Sequence, residues 1–397
     1  TQGSKLYSVL PADGVGDFNF SRNSAATRIN KDGLIETVAV GKSRLNYPLI
    51  DGVVNGCPSH LLEPQRTNNV LYSQETDNAY WLESNVTITP NTNISPDGTL
   101  NADTFTSTAA NSVIYKTGVT TGSLSFFAKD INLTIGNFTI SVDSIGSANW
   151  DKNGNLVSVS GGNASNGVDY GNGWFRFSYN VTSGSVVNYG IANGSGNESI
   201  LVFGLQNEPS STYSTSYIPT TSSAVTRVAE TANGAGDAST FNDSEGVLMA
   251  EYSDFDNDSF RQLTVSNGSN SNAISIMNTT TENQVVCFVN NGGVTQASIS
   301  TILNSTHEFN KIAFSYKLNQ FKLYINGLQI GVTDTSGTVP IGLNTLNFDN
   351  GAGSGDVYGS VKQIQYFDSA LNDSDLETIT SWTSFTDLAN GQTYSIK

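Results

Sequence analysis

The sequence predicts an all-β protein: two tandem β-sandwich domains, of sandwich or jelly-roll type, with an N-terminal lead-in and one short C-terminal helix. Three observations predict it. Short alternating apolar and polar runs recur along the chain, Gly, Asn, Asp and Ser bound them, and almost no segment repeats apolar residues at helical spacing over three turns. Many short strands with regularly spaced turn signals belong to sandwiches and jelly rolls.

Taken in order, residues 1–68 are richer in charge than the rest and form a lead-in expected to pack on the first sandwich. Residues 69–232 form that sandwich. Its strands include Ser123-Leu-Ser-Phe-Phe-Ala-Lys129, Phe138-Thr-Ile-Ser-Val-Asp143 and Trp174-Phe-Arg-Phe-Ser-Tyr179, with a turn at Asn153-Gly154. Thr231-Ala-Asn-Gly-Ala-Gly-Asp237 reads as a connector. Residues 233–397 form the second sandwich, with strands at Ile274-Ser-Ile-Met277, Val285-Val-Cys-Phe-Val289, Ile312-Ala-Phe-Ser-Tyr316 and Phe321-Lys-Leu-Tyr-Ile325. Asn291-Gly292-Gly293 and Asn326-Gly327 supply the positive φ that tight hairpins demand. The helix is predicted over 371–382: Asn372 or Ser374 caps it, acidic residues fill its first turn, and Leu376 and Ile379 share one face.

Charge narrows the partners. The 397 residues carry 35 acidic and 18 basic side chains, a net charge of −17, and only 13% are charged where about 25% is usual. Such a chain is solvated by amides and hydroxyls, and it offers no basic patch to nucleic acid or to an anionic membrane. No run approaches the ~20 apolar residues that span a bilayer. Cys57 and Cys287 fall in different domains, which excludes a disulfide framework, and His60 and His307 sit in no zinc-ligand spacing.

The candidate chemistry is recognition of sugars, which needs exposed aromatic faces beside amides and carboxylates. Trp150 is the first candidate, because it ends a strand before the turn Asp151-Lys-Asn-Gly154, with Asp151 and Asn153 as hydrogen-bonding neighbours. The competing reading is that its indole packs on its own sheet. Tyr252 and Tyr358 are candidates for the rim of the second sandwich. Asp254, Asp256 and Asp258 alternate in a loop and would present oxygens to a calcium ion, the competing reading being a solvated hairpin tip. It is no EF-hand, since Ser259 and Val265 stand where the Gly and bidentate Glu would be. The acidic, glycine-rich segment Asp349-Asn-Gly-Ala-Gly-Ser-Gly-Asp356 is weighed the same way. A glycosidase needs two carboxylates facing one bond; Glu251 and Asp254 are three apart, which places them on opposite faces of a regular strand. With no Gly-x-Ser-x-Gly elbow either, the chain is expected to break no bonds.

A set of motifs then adds a resemblance. Phe20-Ser-Arg-Asn-Ser-Ala-Ala-Thr-Arg28, Gly33-Leu-Ile-Glu36, Arg44-Leu-Asn-Tyr47, Leu62-Glu-Pro-Gln-Arg-Thr-Asn68, Gly171-Asn-Gly-Trp-Phe-Arg176, Gly204-Leu-Gln-Asn-Glu208 and Thr215-Ser-Tyr-Ile-Pro-Thr-Thr221 through Thr226-Arg227 follow one another in order. Over residues 18–230 this order resembles a class of bacteriophage tail, fibre and spike proteins, whose block looks like a jelly-roll carbohydrate-binding module. His307-Glu-Phe-Asn-Lys-Ile-Ala-Phe-Ser-Tyr316, Lys322-Leu-Tyr-Ile-Asn-Gly327 and Gly359-Ser-Val-Lys-Gln-Ile-Gln-Tyr-Phe-Asp-Ser-Ala-Leu371 resemble concanavalin A-like, laminin-G-like sandwiches, which often carry calcium at the rim. The resemblance implies a virion-surface or otherwise extracellular fibre, spike or appendage subunit. It would bind host-surface or environmental polysaccharide without catalysis, contact other virion proteins through its lead-in, and form a homo-oligomer, taken as a trimer. Two alternatives stand beside it: a secreted bacterial carbohydrate-binding or polysaccharide-degrading protein, and a decoration protein that binds only other virion subunits.

Overall fold

The computed structural model describes residues 4–7, 18–255 and 259–382. Among these residues four large antiparallel sheets pair into two sandwiches. In the first, a six-stranded sheet runs in the order Leu82–Ser84, Ser112–Thr117, Val186–Ala192, Asn137–Val142, Gly146–Trp150, Leu156–Val159. It faces a seven-stranded sheet ordered Val86–Ile94, Leu100–Ser107, Ser199–Pro209, Gly122–Asp130, Trp174–Asn180, whose last edge is shared by Asn163–Ala164 and Val168–Asp169.

The strand Gly122–Asp130 shows why its sequence reads Phe-Phe. Leu124, Phe126 and Ala128 point between the sheets onto Phe138, Ile140 and Phe177. Phe127 points the other way, into a separate cluster with Trp174, Phe203 and Tyr217, and that cluster is closed by Ile29 and Ile35 of the lead-in. A strand covered on both faces drops the alternation of a half-exposed one and becomes a continuous apolar run.

In the second sandwich a five-stranded sheet is ordered Val294–Ile302, Gln284–Asn291, Ala273–Asn278, Arg261–Ser266, Thr345–Asn347. Opposite it lies an eight-stranded sheet: Leu328–Asp334, Gln320–Ile325, Asn310–Lys317, Glu245–Asp254, Gly359–Phe367, then Ser59–Leu62 and Arg44–Asn46. Ser4–Tyr7 also pairs with Gly359–Phe367. The hairpin from Gln320–Ile325 to Leu328–Asp334 turns on Asn326 and Gly327, at φ of 50° and 84°, as the dipeptide predicts. The helix runs Asp373–Thr380, with Asn372 as its cap: the Asn372 side chain accepts from the Asp375 amide at 2.9 Å. Its Leu376 is buried on Val247 and Met249, against the outer face of the eight-stranded sheet.

The lead-in differs from the expectation that it packs on the first sandwich. It does so through Ile29 and Ile35, but it also supplies three strands to the second, Ser4–Tyr7, Arg44–Asn46 and Ser59–Leu62: His60 and Leu61, for example, pair with Val361 and Ser360. The physical reason is the outer edge of Gly359–Phe367, a row of free amides and carbonyls that a strand from elsewhere in the chain can satisfy. A sequence boundary at 233 therefore does not separate the two cores.

Where the lead-in meets the segment after the first sandwich, five charged side chains are buried together. Glu230 accepts from the Arg22 guanidinium at 2.7 Å and pairs with Arg44, while Glu63 pairs with Arg44 and with Arg227, both at 2.8 Å. Other donors and acceptors of the group are also engaged: Arg44 donates to the Thr27 carbonyl, Arg227 to that of Pro64, and the Ser216 amide donates to Glu63, while Arg227 Nε is buried without a hydrogen-bond partner. Burial raises the Glu63 carboxyl, but Arg227 and Arg44 overcome it and hold the group at about 2. His60 lies buried beside them with both ring nitrogens lacking a hydrogen-bond partner.

Candidate functional site

The aromatic expected at the tip of the first sandwich is not at the surface. Trp150 is fully buried: its ring lies 4.9 Å from that of Phe177, and its indole N–H donates to the Ser165 carbonyl at 2.7 Å. The segment after the turn folds back over the strand and covers the indole, so no face is left for a sugar. Asp151 organises its own turn instead, its carboxylate accepting from the Asn153 and Asn155 amides, both at 2.9 Å. Asn153 is exposed.

The rim residues of the second sandwich fare unevenly. Tyr252 is 4% exposed, part of the core, and donates to Asn278 Oδ1 at 2.8 Å. Tyr358 is half-buried with the Arg261 guanidinium 4.9 Å over its ring, and burial followed by the Asp356 charge pushes its hydroxyl up to about 12. Its face is already taken by a cation.

Nor is Asp254 a loop ligand. It ends a strand with both oxygens in use: one accepts from Asn278 at 2.6 Å, and the other lies 3.0 Å from His307 Nδ1. Asp256 and Asp258 lie outside the described residues. Asp349 is likewise engaged, by the Gly351 amide at 2.6 Å and the Asn233 amide group at 2.8 Å. Among the described residues no cluster of three or more His, Cys, Asp or Glu side chains is arranged to hold a metal ion.

The carboxylates expected on opposite faces are found there. Tyr252 and Asp254 point inward, whereas Glu251 accepts from Gln363 at 2.8 Å on the outside. A bulge does interrupt this pairing, but the extra residue, Lys362, is on the neighbouring strand, so Glu251 and Asp254 stay apart. The contact of His307 with Asp254 is one that sequence spacing missed, since 53 residues separate them. An imidazole oriented by a buried carboxylate is one part of an acid–base machine. Neither residue lines the groove described next.

That groove lies on the outer face of the second sandwich's five-stranded sheet. On the five-stranded sheet, Leu263, Val265, Ile274, Ile276, Val285, Cys287 and Val289 face the core. The alternate positions therefore face outward, and with the 349–356 loop they enclose about 640 Å³. Met277, Val286 and Phe288 make an apolar floor, Phe260 stands at the wall with 52% of its surface open, and Gln262, Asn270, Asn290 and Asn350 supply amides. These amides are held in place. Gln262 donates to Ser275 Oγ at 2.9 Å, Asn290 donates to the Asn270 carbonyl at 2.9 Å, and Thr295 donates to Asn290 Oδ1 at 2.9 Å. An open aromatic, an apolar floor and fixed amides are the elements of a site for a polyhydroxylated ligand. The first sandwich has a smaller hollow of about 290 Å³ on its six-stranded sheet, lined by Asn149, Asn188 and the Asp143 carboxylate, with no aromatic ring.

The alternation that builds the groove was legible in Val285-Val-Cys-Phe-Val289, but which face would stay open was not, because that depends on where the opposite sheet and the 349–356 loop come to rest.

No protein-family profile matches the sequence, and no curated protein is similar to it. Solved structures do resemble parts of it. The Ruminococcus gnavus IT-sialidase CBM40 aligns at 18% identity with a TM-score of 0.32, covering 38% of this chain and 94% of that one. The same module was also solved bound to α2,6-sialyllactose. The leech intramolecular trans-sialidase aligns at 16% identity and a TM-score of 0.32, over 38% of this chain and 27% of that one. The binding domain of botulinum neurotoxin DC in complex with rat synaptotagmin II aligns at 14% and 0.31, over 40% and 41%.

Proposed function

We propose that this chain is a non-catalytic glycan-binding protein that holds polysaccharide in the groove of its second sandwich. The observation that carries the reading is the groove itself, where the half-open Phe260 ring stands over an apolar floor beside amides fixed by their neighbours. The Ruminococcus gnavus module named above was solved with sialyllactose; for this chain the ligand reading rests on its own residues.

The ordered motifs of residues 18–230 support a place on a virion surface, as a fibre, spike or appendage subunit. In such a setting one weak groove per chain would be repeated across a homo-oligomer, taken as a trimer, and avidity would supply the hold. The lead-in spends Arg22 and Arg44 inside the molecule, so those two side chains are not available for contacts to other virion proteins. A secreted bacterial carbohydrate-binding protein would use the same groove, and the genes beside its own would separate the two.

The test is a panel of immobilised bacterial-surface and algal polysaccharides probed with the chain and with intact particles that carry it. Retention with no shortening of the polysaccharide is the expected result. Shortened products would convert the reading to an enzyme, and silence from both chain and particle would leave a protein that binds only its structural partners.

A further inference from the structure

We propose that the ligand of this groove is a neutral polysaccharide, free of carboxylate and sulfate, an inference that rests on the reading of the groove as a glycan site. The argument begins with what lines it. Every polar side chain there is an amide or a hydroxyl: Gln262, Asn270, Asn290 and Asn350, with serine and threonine between them. Among the described residues no Lys, Arg, His, Asp or Glu contributes to the lining. Arg261 is adjacent to Gln262 in sequence, but the alternation of the strand turns it to the other face, where it lies over Tyr358.

This composition discriminates between sugars. An amide offers a donor and an acceptor side by side, and a sugar hydroxyl does the same, so each can satisfy the other when water is expelled. A carboxylate or sulfate entering the same space would lose its hydration and meet no cation, which is the arrangement that burial of charge penalises most. The long-range field acts in the same direction, since a chain of net charge −17 repels a polyanion before contact. The apolar half of the groove suits the C–H faces of neutral pyranoses: Phe260 is the wall and Phe288 part of the floor. At about 640 Å³ the hollow falls in the range that accepts a ligand of short-oligosaccharide size.

The experiment titrates the full chain with neutral glucans, mannans and galactans, and in parallel with uronate-containing, sulfated and sialylated glycans, each at low and high salt. At least one neutral polysaccharide should bind with an affinity that salt changes by less than about twofold. Phe260→Ala should weaken that binding about tenfold with an unchanged melting curve, because the ring is largely open. Binding confined to acidic glycans, or affinity that collapses with salt, overturns the neutral assignment and leaves a glycan-binding protein in place. Neutral binding untouched by both Phe260→Ala and Asn290→Ala overturns the choice of groove. Failure of every glycan in both series overturns the underlying reading as well.

Discussion

Trp150 shows how one side chain changes meaning once its neighbours are known. From the sequence it stands beside a turn, where an aromatic has little to fill; in the fold, the chain from 151 to 165 returns and caps it, and the Phe177 ring packs alongside at a tilt. The local signal was read correctly as a turn, but burial depends on a return path that no window around Trp150 contains. Its role is therefore testable as packing. Trp150→Ala should cost about 3–5 kcal/mol, the range for removing a large buried aromatic, with loss of its hydrogen bond to Ser165 included. Denaturant unfolding followed in the first sandwich would measure it. A change below about 0.5 kcal/mol, the scale of surface substitutions, would return the indole to the surface.

At the scale of elements, what the sequence discloses follows the range of the interaction. Asn326-Gly327 fixes its hairpin and Asn372 caps its helix within a few residues, and both were legible for that reason. The joint of Arg22, Arg44, Glu63, Arg227 and Glu230 joins positions up to 208 residues apart, and the sequence showed only the motifs that hold its members. Those motifs prove to be architectural: the ion pairs they build are buried inside the chain.

The joint should make stability depend on pH. His60 is held at about 3, first by burial and then by the charges of Arg44 and Arg22, against an ordinary value of 6.5. The unfolded chain therefore takes up a proton that the folded one refuses, and stability falls as the pH drops from 6.5 toward 3. Glu63, held at about 2 against 4.5, contributes fully above pH 4.5 and loses that contribution as the pH falls through 4.5 toward 2. Melting temperatures measured across this range should decline in two stages. His60→Phe, which keeps a flat ring and removes the titration, should flatten the stage between pH 6.5 and 4.5 and make the decline below pH 4.5 shallower without abolishing it, because Glu63 still titrates there. An unchanged profile in the variant would place the upper stage elsewhere.

For the whole molecule, the lead-in decides whether there are two domains or one. Arg44–Asn46 and Ser59–Leu62 complete the eight-stranded sheet, Phe18 and Leu62 enter the second core, and Ile29 and Ile35 close the apolar outer face of the first sandwich. Removing residues 1–68 would thus do more than shorten the chain. It would bare the edge of Gly359–Phe367, open the cluster around Phe127 and Trp174 to water, and strip Arg227 and Glu230 of the lead-in charges they pair with. Losing one side of a buried pair costs about 3–5 kcal/mol, comparable with a large part of a domain's stability, before the exposed edge and apolar face are considered. A chain beginning at residue 69 should accordingly unfold in both sandwiches at lower denaturant than the full chain, and it should associate through the bared strand edge in size-exclusion chromatography. If instead the truncated chain stays monomeric and each sandwich melts as in the full protein, the lead-in is an appendage, and the two sandwiches are the independent units that the sequence boundary suggested.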